Sequence, residues 1–269
     1  MKKLINYLVK NQNNFRDYLA IVLLKLKILP KEFEGRVNAI YSKRKYDKDF
    51  KNLKLEHSEK GYCCLKPMPT ENYLQQYYND TYWKSRTDKN YPLRLRDIEH
   101  LKLLKNKFPN FDKSEKKILN FGAGHGGLSF FLHSNMHNIF NYEPGGMKLY
   151  FSERWNVLKD LNNINTKFDL IYGSHSLEHV QDIKKVLALF DKISHEETIF
   201  FFEVPNCYSK ISQTIEPPHT YYFTRKFFDN YFLKHNYCKT YKNYQEQEND
   251  EGEVIILLSK SSIKKDFNS

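Results

Sequence analysis

Cysteine is scarce in this chain, with four among 269 residues: Cys63, Cys64, Cys207 and Cys238. Apart from the adjacent pair they are widely scattered, with no metal-ligand spacing and no disulfide framework, so a reducing cytoplasm is the expected compartment. A long hydrophobic run is also missing. The best one, YLAIVLLKLKIL at 18–29, is interrupted by Lys25 and Lys27 and is too short to span a bilayer. It reads as a helix packing its apolar face on the body, with an interfacial membrane helix as the alternative. The opening MKKLINYLVKNQNNFRDY is basic and then apolar, like a secretory signal, but the apolar part is broken and no small-residue cleavage site follows. A soluble protein without a transmembrane segment is expected. Dense Lys/Arg blocks are absent as well. The net charge of +11 raises the question of a polyanionic partner. Its lysines are spread along a chain rich in Asn, Ile, Tyr and Phe, which reads as a solvated surface rather than a nucleic-acid groove. A phosphorylated or nucleotide-linked small substrate fits the same charge.

Glycine is sparse too, yet four of the ten, Gly122, Gly124, Gly126 and Gly127, fall within six positions of KKILNFGAGHGGLSFFL at 116–132. A phosphate cradle, a cofactor turn and a tight turn without a ligand all account for such a cluster. Its surroundings narrow the choice. Amphipathic helix is expected over 93–108, with Leu95, Ile98, Leu101, Leu104 and Phe108 along one side, and over 71–78, where Thr70 supplies a cap. After these the chain alternates. Strands are expected at 118–121, 138–143, near WNVLKD, at 168–174 and at 198–206. Helices are expected from Gly127 to about 134, around 145–154, at 182–193 and at 224–235. The end reads as two strands, about 237–244 and 253–259, joined by the acidic turn QEQENDEGE and hence antiparallel. Alternating β and α elements imply right-handed crossovers and a mostly parallel, doubly wound α/β sheet.

In such a sheet, glycines after the first strand let the backbone turn sharply and let a ligand approach the main chain. Gly122-Ala123-Gly124-His125-Gly126-Gly127 satisfies both GxGxG and GxGxxG spacing, a weak signal alone. Glu143 strengthens it, because it ends the second expected strand about 20 residues on, where a carboxylate accepts both hydroxyls of a ribose. Nicotinamide nucleotide and S-adenosylmethionine share that contact.

The ordered segments ILNFGAGHG, NYEP, KFDLIYGSHSLEHV and IFFFEVPN resemble a class I S-adenosylmethionine-dependent methyltransferase, over about 96–260. Within it they look like the branch of sugar and small-molecule O- and C-methyltransferases, whose entry segment CCLKPMPTENYLQQYYNDTYW also resembles. The resemblance implies a Rossmann-like seven-stranded sheet with its last strand antiparallel. It divides the chain into an N-terminal helical or lid extension (1–93), a methyltransferase domain (94–262) and a tail (263–269). It implies cofactor contacts at Gly122, Ala123, Gly124, Gly126 and Glu143, with Pro144 beside the adenine and Asp160 near it. Ser174 and His175 are expected under the methionine portion. One departure stands out: the family usually has Asp or Glu two residues before the first glycine, facing the cofactor's ammonium, and this chain has Asn120.

Methyl transfer from a sulfonium is an in-line displacement, so alignment and desolvation are the main demands on the protein. A hydroxyl acceptor also needs a base, and imidazole suits the task. His219, in EPPHTYYFT after the fifth strand, is the first candidate, either as base or in substrate binding. His179 is the second. The Glu178-His179 pair looks like the pair of ubiquinone-pathway O-methyltransferases, where carboxylates and a His hold a divalent metal. Here His175 replaces the family's further acid. The trio His175, Glu178 and His179 is therefore a conceivable metal site, although orientation and capping are expected of it and no metal is assigned. Tyr82, Trp83 and Tyr222 are the candidates for a lid or acceptor contact. Cys63 and Cys64 match half of a zinc pattern of some relatives; with no second pair, no zinc is expected. The expected function is methylation of a hydroxyl on a sugar or sugar nucleotide, as in bacterial surface-glycan assembly. Another small metabolite, RNA, or a nonenzymatic binding role are the alternatives.

Overall fold

The structure, a computed structural model, describes residues 46, 48–50, 52–82, 95–124, 126–133, 137–144, 156–158, 160–161, 163–207, 215, 217–232, 237–243, 245–247, 252–260 and 263. After helical residues at 46 and 48–50 comes a hairpin of β1 (Lys54–Ser58) and β2 (Tyr62–Lys66), then helix α1 (Glu71–Tyr77) and a π-helical turn, Tyr78–Tyr82. Thr70 caps α1 as its position predicts, accepting the Tyr73 amide at 3.2 Å. Helix α2 (Leu95–Lys107) leads into the alternating region: β3 (Lys117–Phe121), α3 (Gly127–His133), β4 (Asn138–Tyr142), β5 (Asn156–Leu158) and β6 (Leu170–Ser174). Helix α4 (Ile183–Lys192), β7 (Ile199–Pro205), β8 (Tyr221–Phe223), α5 (Arg225–Tyr231), β9 (Tyr237–Lys242), β10 (Gln245–Gln247) and β11 (Val254–Lys260) complete it.

The main sheet has the order β10-β9-β11-β7-β6-β3-β4-β5. β5, β4, β3, β6 and β7 run parallel, and β11 lies antiparallel between β7 and β9. Strand β7 shows why its sequence is an unbroken apolar run: parallel strands are covered on both faces. Its residues alternate between two cores. Phe200, Phe202 and Val204 pack with Leu187 and Phe190 of α4 and Phe228 of α5, while Ile199 and Phe201 join Leu104 of α2 and Leu132 of α3. Each phenylalanine so buried contributes about 1.5–3 kcal/mol.

Four expectations change. The QEQENDEGE turn is not all loop, because Gln245–Gln247 pairs with β9 as an eighth strand. The extension is not helical alone: β2 of its hairpin adds to β8, giving a separate three-stranded sheet. Charged and polar residues of that hairpin hid its alternation. The helix expected over 224–235 stops at Tyr231, and Phe232 bridges to Ile263 instead. Finally, Leu95 is 60% exposed, and the stripe of α2 that is buried carries Asp97, His100 and Leu104. The helices expected at 18–29 and 145–154 lie outside the described residues. No helix among the described residues is long and apolar enough to cross a membrane.

Candidate active site

Strand order reverses beside β3, whose neighbours are β4 on one side and β6 on the other, and open α/β sheets bind ligands beyond the strand C-termini at that point. The glycine turn lies there. Gly122, Gly124 and Gly126 have φ of 69°, 57° and 77°, a region that side chains other than glycine's seldom adopt. A Cβ on Gly122 would also stand 2.4 Å from the Ser176 Cβ, so the loop after β6 forbids a side chain. Ser176 Oγ donates to the Phe121 carbonyl at 2.9 Å. The Gly122 and Ala123 amides donate to the Tyr142 carbonyl, and the Gly124 amide donates to Glu143 Oε2 at 3.0 Å. Glu143 thus fastens the turn to the end of β4.

A cavity of about 500 Å³ opens against this turn. Asn120, Gly122, Ala123, Gly124, Glu143 and Pro144 line it, as do Asp160 after β5 and Ser174 and His175 at the end of β6. Of the residues expected at the cofactor, only Gly126 stands off the wall, buried behind it. The extension contributes too. Glu71, Leu74 and Gln75 of α1 and the neighbouring Tyr78 cover one side, and Arg96 and Asp97 enter from α2. Trp83 and the side chain of Tyr82 lie outside the described residues. Tyr222 is not a lid: it is 3% exposed in β8, packed with Phe50, Leu65 and Leu74. The aromatic that stands over the site is Tyr78, whose ring lies 6.0 Å from that of His179.

Asn120 is buried and acts as a donor, to Ser129 Oγ at 2.8 Å and Asn141 Oδ1 at 3.3 Å. Its amide is therefore part of a fixed network, beyond simply replacing a carboxylate.

Two buried carboxylates gather the imidazoles. Glu203, in the middle of the apolar run of β7, accepts from Ser174 Oγ at 2.8 Å and lies 3.1 Å from His100 Nε2. His175 Nε2 and Arg96 Nε both stand 3.7 Å from it. Burial opposes its ionisation, but His100 and His175 outweigh burial and hold the carboxyl well below its usual range. Glu178, 1% exposed, has His175 Nδ1 at 3.1 Å and His179 Nε2 at 3.8 Å. Burial again disfavours its charge, and His179, His175 and His219 overcome this, bringing it to about 2. For His175 burial opposes the proton, yet the two glutamates raise it to about 9, so it is an imidazolium at neutral pH. Its φ of 51° turns the chain between β6 and the short 3-10 turn Leu177–His179.

His179 is on the cavity wall; burial, with the other imidazoles, drives it down to about 4. His219 packs behind it, ring centroids 4.8 Å apart, and burial lowers it also. Both are neutral near pH 7. The ligand-type atoms of Glu178, His179 and His219 lie within 4.8 Å of one another, so a cation could be held there, with His219 in place of the expected His175. His175 already supplies the positive charge beside Glu178, and the cluster requires no metal for its balance.

A family model described as a methyltransferase domain matches residues 93–259. The chain belongs to this family. It is a class I methyltransferase with S-adenosylmethionine as cosubstrate. Among solved structures, the methyltransferase chain is similar to the Burkholderia thailandensis 1,6-didemethyltoxoflavin-N1-methyltransferase, crystallised with 1,6-didemethyltoxoflavin and S-adenosylhomocysteine. Identity is 11% and the TM-score 0.51, over 78% of this chain and 99% of the other. It is also similar to a possible histamine N-methyltransferase of Thermotoga maritima, at 15% identity and TM-score 0.47, over 62% and 90% of the two chains. A Clostridium acetobutylicum S-adenosylmethionine-dependent methyltransferase matches at 13% and 0.47, over 67% and 96%. No curated protein matches the sequence.

Proposed function

We propose that this methyltransferase methylates a hydroxyl group of a small acceptor, a sugar or sugar nucleotide, in the cytoplasm. The observation that carries the reading is the pair of neutral, half-buried imidazoles over a buried, ionised Glu178 at one side of the cavity. An oxygen nucleophile has a proton to lose and needs such a base. The surplus of cations along the chain suits a phosphorylated acceptor, and the four cysteines are free thiols, in keeping with a reducing compartment.

When bound, S-adenosylmethionine supplies an electrophilic methyl on a positively charged sulfur. The chain's own residues do the rest. Glu143 would accept the ribose hydroxyls while keeping the Gly124 amide in place, and Pro144 and Asp160 would border the adenine. Gly122, Ala123 and Gly124 offer a wall without side-chain bulk, and Ser174 and His175 would lie beneath the methionine portion. His179, on the cavity wall, and His219 behind it take the acceptor's proton, and Glu178 steadies the resulting imidazolium. Tyr78 and α1 cover the site and exclude water.

The test is a panel of nucleotide sugars, other hydroxylated metabolites and short RNAs incubated with the protein and S-adenosylmethionine, read by the mass gain of one methyl group. Methylation of a sugar hydroxyl is the expected result. Transfer only to nitrogen or carbon acceptors, or only to RNA, would remove the hydroxyl reading.

A further inference from the structure

Asn120 leaves the glycine turn without the charge that a carboxylate two positions ahead of Gly122 would bring. We infer that Asp97 supplies this charge from a different element, and that with Arg96 it receives the amino-acid end of the cosubstrate. The inference rests on the methyltransferase reading and names a residue for one part of the bound molecule.

Four observations support it. Asp97 is on the cavity wall although only 7% exposed, so its carboxylate faces the cavity rather than bulk water. Its carboxylate also leans over the glycine turn: a Cβ added to Gly127 would stand 2.4 Å from Oδ2. One contact thereby accounts for both the acid on α2 and the fourth glycine of the cluster. Arg96, the neighbour of Asp97, lines the same cavity. An α-amino acid carries an ammonium and a carboxylate on one carbon, and adjacent Asp and Arg side chains present the matching pair of charges. Finally, the place is right. Helix α2 packs with Tyr172 and Phe201 of β6 and β7, whereas Glu143 and Asp160 stand beyond β4 and β5 across the switch. The cavity therefore has one acidic end suited to ribose and adenine and another suited to an ammonium.

A competing role for Asp97 is to hold the start of α3, where it would need no ligand. Asparagine keeps the size and an acceptor, so Asp97→Asn separates the two. The probes are S-adenosylhomocysteine, its analogue with hydrogen in place of the α-ammonium, and 5′-methylthioadenosine, which lacks the amino-acid portion. Calorimetry on the wild-type protein should show the deaminated analogue binding about 10- to 100-fold more weakly than S-adenosylhomocysteine, the size of one hydrogen bond to a charged group. In Asp97→Asn that preference should vanish, with 5′-methylthioadenosine bound as before. Equal weakening of all three ligands would show a purely structural Asp97 and overturn the inference. So would a wild-type protein indifferent to the ammonium, a measurement that decides the matter even if the variant does not fold. Failure of the wild type to bind S-adenosylhomocysteine at all would instead remove the methyltransferase reading beneath it.

Discussion

His175→Asn tests whether charge, rather than shape, holds the centre of the site together. The substitution is chosen for the backbone: at φ 51° most residues are strained, but asparagine adopts this region readily, so the chain turn survives while the cation is lost. The magnitude follows from the shift. His175 rises from 6.5 to about 9, and about 2.5 pH units correspond to about 3 kcal/mol. Glu178 falls from 4.5 to about 2, a change of the same size. The two figures describe overlapping interactions, since Glu203 contributes to the first and His179 and His219 to the second, so about 3 kcal/mol is a ceiling and not half of a sum. The sign differs at the two ends of the pH scale. A raised His stabilises fully below 6.5 and loses its contribution as pH rises through 9, whereas a depressed Glu stabilises above 4.5 and loses it as pH falls towards 2. The stability gap between wild type and His175→Asn should therefore be greatest between about pH 4.5 and 6.5, at most about 3 kcal/mol, and disappear above about pH 10. Urea denaturation at pH 6 and pH 10, followed by circular dichroism, measures it. A gap of equal size at both values would mean that packing, not the ion pair, is lost, and the electrostatic account of the cluster would be refuted.

Three further outcomes are expected. Glu143→Ala should weaken S-adenosylhomocysteine binding by at least about 100-fold in calorimetry, because hydrogen bonds to the ribose go together with the anchor of the Gly124 amide; an unchanged affinity takes Glu143 out of the site. His219→Ala should lower turnover about 10²–10⁴-fold with cofactor affinity nearly intact, and wild-type activity should be level above neutrality and fall below 6.5, as the imidazoles gain protons. His179→Ala, on the cavity wall, should affect cofactor placement as well, and full activity in both variants would argue for an acceptor that needs no base. Dialysis against a chelator should leave turnover unchanged; lost activity restored by a divalent metal would mean that Glu178, His179 and His219 bind a cation.

The alternation of apolar runs and amphipathic helices made the main sheet legible, and the order of the runs placed Gly122, Gly124, Glu143 and Ser174 at one end of it. Those residues are close in space because they follow consecutive strands, and local pattern is enough to find them. Residues that belong to the site through packing were harder to see. Asp97 and His100 look like the polar side of α2 when Leu95 is taken as apolar-facing, and only the position of α2 on the sheet turns them inward. Glu203 did leave a signal, a lone acid inside IFFFEVPN, since an ionised group in a strand covered on both faces must have partners. Those partners, His100, Arg96 and His175, come from two other elements at separations that no periodicity connects.

The three-stranded sheet was invisible for a related reason, and it explains how His219 reaches the cluster. β8 follows His219 immediately and takes its partner from the extension, through the pairing of Cys63 with Tyr222 and the bond from the Leu65 amide to the Thr220 carbonyl at 3.0 Å. Thr220 then turns towards the other side: its amide donates to the Glu178 carbonyl at 2.7 Å, and its hydroxyl lies within hydrogen-bonding distance of the Glu178 and Val180 carbonyls. The residue next to His219 is thus clasped between the hairpin of the extension and the 3-10 turn that carries Glu178 and His179. An imidazole on a loop would by itself wander over several ångströms, and a base has to stay within hydrogen-bond reach of the proton it removes. The strands contributed by the extension restrict that loop, so the segment ahead of the methyltransferase domain positions the proposed base as well as covering the cavity.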